Sequence, residues 1–185
     1  MDIHEAIRGR RSVGRVKDDP VPPEWIEKIL EAGNWAPCHH LTEPWRFFVM
    51  TGAGRDVLAD AYADIAAEQS GQDDPEFRRK HAAKAYRAPV VIAVAVSPSA
   101  DPRVTRIEEF AAAHAAVQNM LLTAHALGLG AIWRSGDPMY HPRMKQAFGL
   151  QPHEELVALV YLGFPVTAPP AGGRRPVADA TVWLS

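Results

Sequence analysis

Apolar residues along this chain fall into two kinds of run: some recur every three or four positions, others are continuous. Ile3, Ala6 and Ile7 recur at helical spacing behind Asp2, whose carboxylate can accept from the first free N–H groups. Gly9 weakens the end of that helix and places Arg10-Arg11-Ser12 at its exit or in a turn. Pro22-Pro23-Glu24 opens a second helix, with proline in the tolerated first turn and Ile26, Ile29, Leu30 and Gly33 inward. Ala36-Pro37 stops it, because the residue before proline is pushed out of α geometry. A third helix is expected over 53–68 with Leu58, Ala61, Tyr62 and Ile65 inward. The longest runs over about 104–127, where Phe110, Val117, Leu121 and Ala124 lie on a wide apolar face. His141-Pro142 starts a short helix that reaches Phe148 before Gly149 closes it.

The continuous runs read as buried strands: Trp45 to Thr51, Pro89 to Val96, Ala131 to Trp133 and Leu156 to Leu162. Val182-Trp183-Leu184 could add a last one. Between them, 69–88 is polar and reads as a mobile surface segment with a helix from about Pro75, and 165–176 is rich in Pro, Gly and Arg. Strands and helices mix without a regular βαβ rhythm. That order predicts an α+β fold, a three-layer sandwich whose mixed or antiparallel sheet is covered by helices. No repeat or linker divides residues 1–185, so one domain is expected. The alanine-rich helix at 104–127 is apolar nearly all round, which predicts burial against a second copy in a homodimer.

Composition narrows the function. A chain of 185 residues, 47% hydrophobic and 23% charged, can bury one sizeable core. The net charge of −2 favours neither nucleic acid nor membrane, and no apolar run approaches the roughly 20 residues that span a bilayer. The start, Met-Asp-Ile-His-Glu, lacks the layout of a secretory signal, so a cytoplasmic protein is expected. A single cysteine, Cys38, excludes an internal disulfide and a thiolate zinc cluster. Arginines outnumber lysines 15 to 5, and Arg8, Arg10, Arg11 and Arg15 crowd one short segment. Arginine's planar fork suits phosphate, although a merely solvated basic face fits the composition equally well.

Common catalytic signatures are absent. There is no Walker A sequence, and Gly128-Leu129-Gly130 follows a helix and precedes a strand, the reverse of a dinucleotide fingerprint. Cys38-His39-His40 makes a poor metal site, since adjacent side chains diverge, and His114 and His125 read as core or interface residues. Two runs remain, Arg10-Arg11-Ser12 and Trp133-Arg134-Ser135-Gly136. Each sets a cation beside a small hydroxyl donor at a turn, which is chemistry for a phosphate and a polar ring edge. Trp35, Trp45 and Trp133 offer flat surface for an aromatic cofactor. The structural alternative makes Trp133 core and Arg134 the end of a strand.

Taken in order, Ile7 to Arg15, Ala32 to His39, Glu43 to Val49, Gly130 to Gly136 and Tyr161-Leu162-Gly163 resemble the nitroreductase family, in particular its small NAD(P)H nitroreductase branch. The resemblance covers nearly the whole chain. It implies FMN at the interface of an intertwined homodimer, NADH or NADPH as electron donor, and a small electron-poor acceptor. By the same pattern Arg10, Arg11 and Ser12 hold the ribityl phosphate and pyrimidine edge, and Trp133, Arg134 and Ser135 form the second flavin-binding run. Trp35 and His39 come from the other subunit, and 123–128 matches a nicotinamide-nucleotide stretch. Two positions depart from it: Trp35 replaces a basic residue, and Glu43 stands where many members have glutamine. No catalytic side chain is implied, because the flavin carries the chemistry. A protein that stores FMN without turnover is the alternative.

Overall fold

The computed structural model describes residues 1–169 and 171–184. Its framework is an antiparallel sheet of four strands: β1 (Trp45–Thr51), β2 (Val90–Val96), β3 (Gly130–Arg134) and β4 (Glu155–Gly163), in the spatial order β1-β2-β4-β3. The central strand β2, VVIAVAV, is buried at all seven positions, as a continuous apolar run demands when both faces are covered. Its even-numbered residues, Val90, Ile92, Val94 and Val96, pack with α2 (Pro23–Asn34) and α5 (Arg106–Ala126). Val91, Ala93 and Ala95 face α3 (Asp56–Ser70) and α7 (Pro142–Ala147) on the other side. The sandwich therefore has three layers, and its sheet is wholly antiparallel rather than mixed.

A β-bulge interrupts the alternation in β4. Val94 lies opposite Ala158 and Ala95 opposite Leu156, so Val157 is the extra residue. Val157 and Ala158 consequently both turn to the α5 face. Pairing with β3 stops opposite Leu159, two residues short of the bulge, and the Val157 carbonyl accepts instead from the Trp133 indole N–H at 3.1 Å.

The N-terminal segment closes the β3 edge. Helix α1 (Ile3–Gly9) is fixed by Asp2, whose carboxylate accepts from the His4 and Glu5 backbone while Glu5 reaches back to the Asp2 N–H. Ser12 then bridges to Ala131 in parallel, and Val16 bridges to Pro165 beyond β4. Glycine is required at two of these approaches. A Cβ on Gly130 would stand 2.7 Å from a Val13 methyl, and one on Gly163 would stand 2.9 Å from Val16 and Pro89.

The elements differ in detail from expectation. Only one stripe of α5 is buried within the protomer: Glu109, Ala112, Ala113, Ala116, Val117, Met120, Leu121 and Ala124. Ile107, Ala111, His114 and Gln118 lie open on the rest of its surface. The polar stretch 69–88 is docked rather than detached. Within it α4 (Pro75–Ala82) is capped by Asp74, Arg78 grips Asp64 and Asp73 at 2.5 and 2.7 Å, and Ala85 and Ala88 are fully buried. Val182-Trp183-Leu184 forms no strand, since a strand needs an edge to pair with, and these side chains are at least 83% exposed. The helix expected from residue 53 begins as a 3-10 turn over Gly52–Arg55, and α6 (Asp137–Tyr140) is a further single turn. No helix among the described residues is long and apolar enough to cross a membrane.

Candidate cofactor site at the β3 edge

The Ser12–Ala131 bridge brings the two basic runs to one sheet edge. Val13 N–H donates to the Ala131 carbonyl at 2.9 Å, and the Arg134 guanidinium passes over Gly14, near enough to sit 3.5 Å from a Cβ built there. Strand alternation then separates neighbours. Trp133 packs toward α5, with its ring 5.5 Å from that of His114. Arg134 turns to the α3 side and lies over the Tyr161 ring at 5.5 Å. Ser135 is exposed at the end of the strand.

Two cavities flank this edge. On the α5 side, Arg8, Arg10, Arg11, Gln118, Gly172, Gly173 and Arg174 enclose a basin of about 460 Å³. Arg11 donates to the Arg8 and Arg10 carbonyls at 2.6 and 2.7 Å, which ties its guanidinium to the end of α1. On the α3 side a cavity of about 410 Å³ is lined by Arg134, Ser135, Trp133, Tyr62, Tyr161, Lys84 and Arg87. The Tyr62 and Tyr161 hydroxyls meet at 3.3 Å. Burial pushes both phenols above their ordinary range.

Charge is left uncompensated on both sides. Among the described residues, none of Arg8, Arg10, Arg11, Arg134 or Arg174 has a carboxylate within 4.0 Å. The Nε atoms of Arg11 and Arg134 are buried without a hydrogen-bond partner. Buried polar groups are normally satisfied, so these arginines are set for an anionic guest. A phosphate-bearing ring such as FMN fits that donor set.

Of the tryptophans expected to offer flat surface, Trp45 is unavailable. It is core, with its indole N–H on Asn34 at 2.9 Å. Trp133 serves the bulge, as the structural alternative holds, yet still lines the α3-side cavity. Trp35 and His39 are not brought to this edge. Trp35, 79% exposed, ends α2 beside Ala36, which packs with Ala112 and Ala116 in the first half of α5. Gly9, by contrast, abuts His125 near the other end of that helix. Thirteen residues of helix separate Ala112 from His125, about 20 Å. The loop after Trp35 is strained: His40, Leu41 and Glu43 all have positive φ, between 47° and 58°, without being glycine. Sequence reasoning missed Lys84, Arg87, Tyr62, Tyr161, Gln118 and Arg174. Lys84 and Arg87 carried a signal, since cations three apart on a helical turn share a face. Among the described residues, no group of three or more His, Cys, Asp or Glu side chains could hold a metal ion.

An antiparallel α+β sandwich with uncompensated arginines along one sheet edge is the class of protein that fold and site define. The chain belongs to the nitroreductase family, whose model, "Nitroreductase family", matches residues 7–164. It is 33% identical over 178 residues to YfhC of Bacillus subtilis, provisionally named an NAD(P)H nitroreductase, covering 96% of this chain and 91% of that one. The nitroreductase-like family protein of Bacillus cereus superposes with a TM-score of 0.87 at 30% identity, covering 100% of this chain and 96% of that one. A provisional nitroreductase of Desulfovibrio desulfuricans, solved in complex with FMN, superposes with a TM-score of 0.73 at 32% identity, covering 100% and 98%. The chain is thus of nitroreductase type.

Proposed function

We propose that this chain is a single-domain, FMN-dependent oxidoreductase of the cytoplasm. It takes electrons from NADH or NADPH and reduces nitroaromatics, quinones or similar electron-poor acceptors. The observation that carries the reading is the pair of buried, unpartnered arginine Nε atoms, on Arg11 and Arg134, at one sheet edge of a nitroreductase-family chain. The FMN of the Desulfovibrio relative and the NAD(P)H of the Bacillus name agree with it.

When bound, FMN supplies the redox centre at its N5. The residues of this chain bind, orient and shield. Arg10 and Arg11 are assigned to the phosphate, with Arg174 closing the basin and Ser12 donating to the ribityl chain. Arg134 and Ser135 are assigned to the polar ring edge, where a fixed cation steadies negative charge without reorganisation. Trp133 walls the ring site. No side chain is needed as acid or base, so positioning and electrostatics are the protein's contribution.

Trp35 and His39 complete the site of the partner subunit in a homodimer. Their exposure, the packing of the neighbouring Ala36 on the first half of α5, and the open face of that helix support this arrangement. Ile107 and the Val182–Leu184 tail add exposed apolar surface for the same interface. Donor and acceptor use one pocket in turn, which makes turnover ping-pong.

Three measurements test the reading. Purified protein should be yellow and release FMN, not FAD, on heating. Sedimentation should give twice 20.3 kDa. Double-reciprocal plots of NAD(P)H oxidation with menadione should be parallel. A colourless protein that oxidises neither nucleotide after reconstitution with FMN would refute it.

A further inference from the structure

The α3-side cavity holds more positive charge than a neutral ring edge needs. Lys84 and Arg87 join Arg134 around it. Among the described residues, none of the three has a carboxylate within 4.0 Å. Lys84 is half-buried, with its ammonium over the Tyr62 ring at 5.8 Å and 3.2 Å from His81 Nδ1. Burial, then Arg87 and Lys80, hold that ammonium below the usual lysine range. Drawing a cation out of water beside other cations, with no counter-ion, is unfavourable unless a guest supplies the opposite charge.

The shape of the space suits a particular guest. Tyr62, Lys84 and Pro138 also line an adjoining cavity of about 330 Å³, whose further walls include Ile65, Ala66 and Phe77. The combined space is of the size that encloses small aromatic ligands. One end is cationic and carries the tyrosine hydroxyls, and the other sets Ile65, Ala66 and Phe77 beside the polar Gln69, Ser70 and His81.

We propose that this double cavity is the acceptor site, and that Lys84 and Arg87 select aromatic acceptors bearing an anionic group such as a carboxylate. The inference rests on the oxidoreductase reading, which places the redox-active ring against the Trp133–Ser135 wall that the cavity shares. The carboxylate lies between Lys84 and Arg87, and the electron-poor end of the ring points toward that wall. The phosphate basin on the α5 side is separate and keeps its own arginines.

A matched pair of acceptors tests this: 4-nitrobenzoate and its neutral analogue 4-nitrobenzamide, with FMN content measured in every preparation. The wild type should favour the acid in kcat/KM. Lys84→Met should raise KM for the acid roughly 10- to 100-fold, the loss of one charge-assisted contact, and leave the amide unchanged. Lys84→Arg should restore the preference. Calorimetric titration of the purified protein with 4-chlorobenzoate and 4-chlorobenzamide, which cannot be reduced, gives a readout independent of turnover. The acid should bind the wild type more tightly than the amide, and Lys84→Met should abolish the difference. Equal affinity of acid and amide for the wild type overturns the proposal. So does a Lys84→Met protein that loses FMN and turns over both acceptors equally poorly, for then Lys84 serves the cofactor. Absence of turnover with either acceptor counts against the oxidoreductase reading, while the titration still decides this one.

Discussion

Trp133→Phe separates the two roles available to this residue. The substitution keeps an aromatic ring on the α5 side of β3 and deletes the indole N–H that satisfies the Val157 carbonyl at 3.1 Å. That carbonyl belongs to the bulge residue, which is itself buried, and β3 ends too early to offer it a backbone donor. Leaving a buried acceptor unpaired costs about 1–3 kcal/mol, and the smaller ring adds a void. For a chain of this length 1 kcal/mol moves Tm by about 2–4 °C. The expected drop is therefore roughly 3–10 °C, read by calorimetry on apo protein at matched concentration. FMN affinity of the folded variant should stay within about 3-fold, since an aromatic ring stays in place and Arg134 and Ser135 are untouched. A Tm within 1 °C of wild type would refute the argument that the indole supports the bulge. An unchanged Tm with lost flavin would make Trp133 a cofactor ligand first.

Other expectations follow from the same geometry. Arg10→Ala and Arg134→Ala should each weaken FMN by about 10- to 150-fold, the equivalent of a charge-assisted bond of 1.5–3 kcal/mol, with circular dichroism unaltered; unchanged affinity in both would leave these arginines merely structural. Burial pushes the Glu154 carboxyl up, but the Gln151 N–H at 2.7 Å and Arg46 at 2.7 and 2.8 Å outweigh it and hold the group at about 2. Because the folded value lies below the ordinary one of 4.5, its stabilisation is complete above about pH 5 and disappears as pH falls toward 2. The shift sets a ceiling of about 3 kcal/mol, and solvent at the half-exposed Arg46 reduces it to about 2. Urea melts of Glu154→Gln should show that deficit at pH 7 and little of it at pH 2.5, and an equal deficit at both would contradict the linkage. Gly130→Ala puts a methyl 2.7 Å from Val13 and should cost about 1–3 kcal/mol by lifting the 12–17 segment. Limited proteolysis should then cut that segment faster than in wild type, and an unaltered rate would mean the segment yields without detaching.

What the sequence discloses depends on what the physics makes periodic. The run VVIAVAV is legible because a strand buried on both faces has no polar position to confuse it. The stripe of α5 is legible too, but its depth is not: alanines look equally apolar on the sheet side and on the open side. The bulge at Val157 leaves no mark, since LVALVYL alternates no differently with it than without it. Likewise His40, Leu41 and Glu43 give no warning of positive φ, which sequence reading expects of glycine or asparagine. The basic runs at 10–12 and 133–135 were readable as anion chemistry. Their meeting at one sheet edge is not legible, because it depends on the Ser12–Ala131 bridge between distant segments. The spacing of Lys84 and Arg87 puts them on one face, but where that face lies is not legible, because docking through Ala85 and Ala88 is invisible without the partner surface.

Helix α5 has a consequence for how chain length can vary. Its first half carries Ala36, packed on Ala112 and Ala116, and its far end meets Gly9 at His125. Inserting or deleting a single residue between Ala112 and His125 would swing one group about the axis by about 100° and shift it by about 1.5 Å relative to the other. The buried stripe against the sheet would be thrown out of phase at the same stroke. Length differences tolerated by this architecture must therefore fall outside that helix, in the turn at 52–55, the segment at 97–105 or the tail beyond 165, where added residues leave both ends of α5 in register.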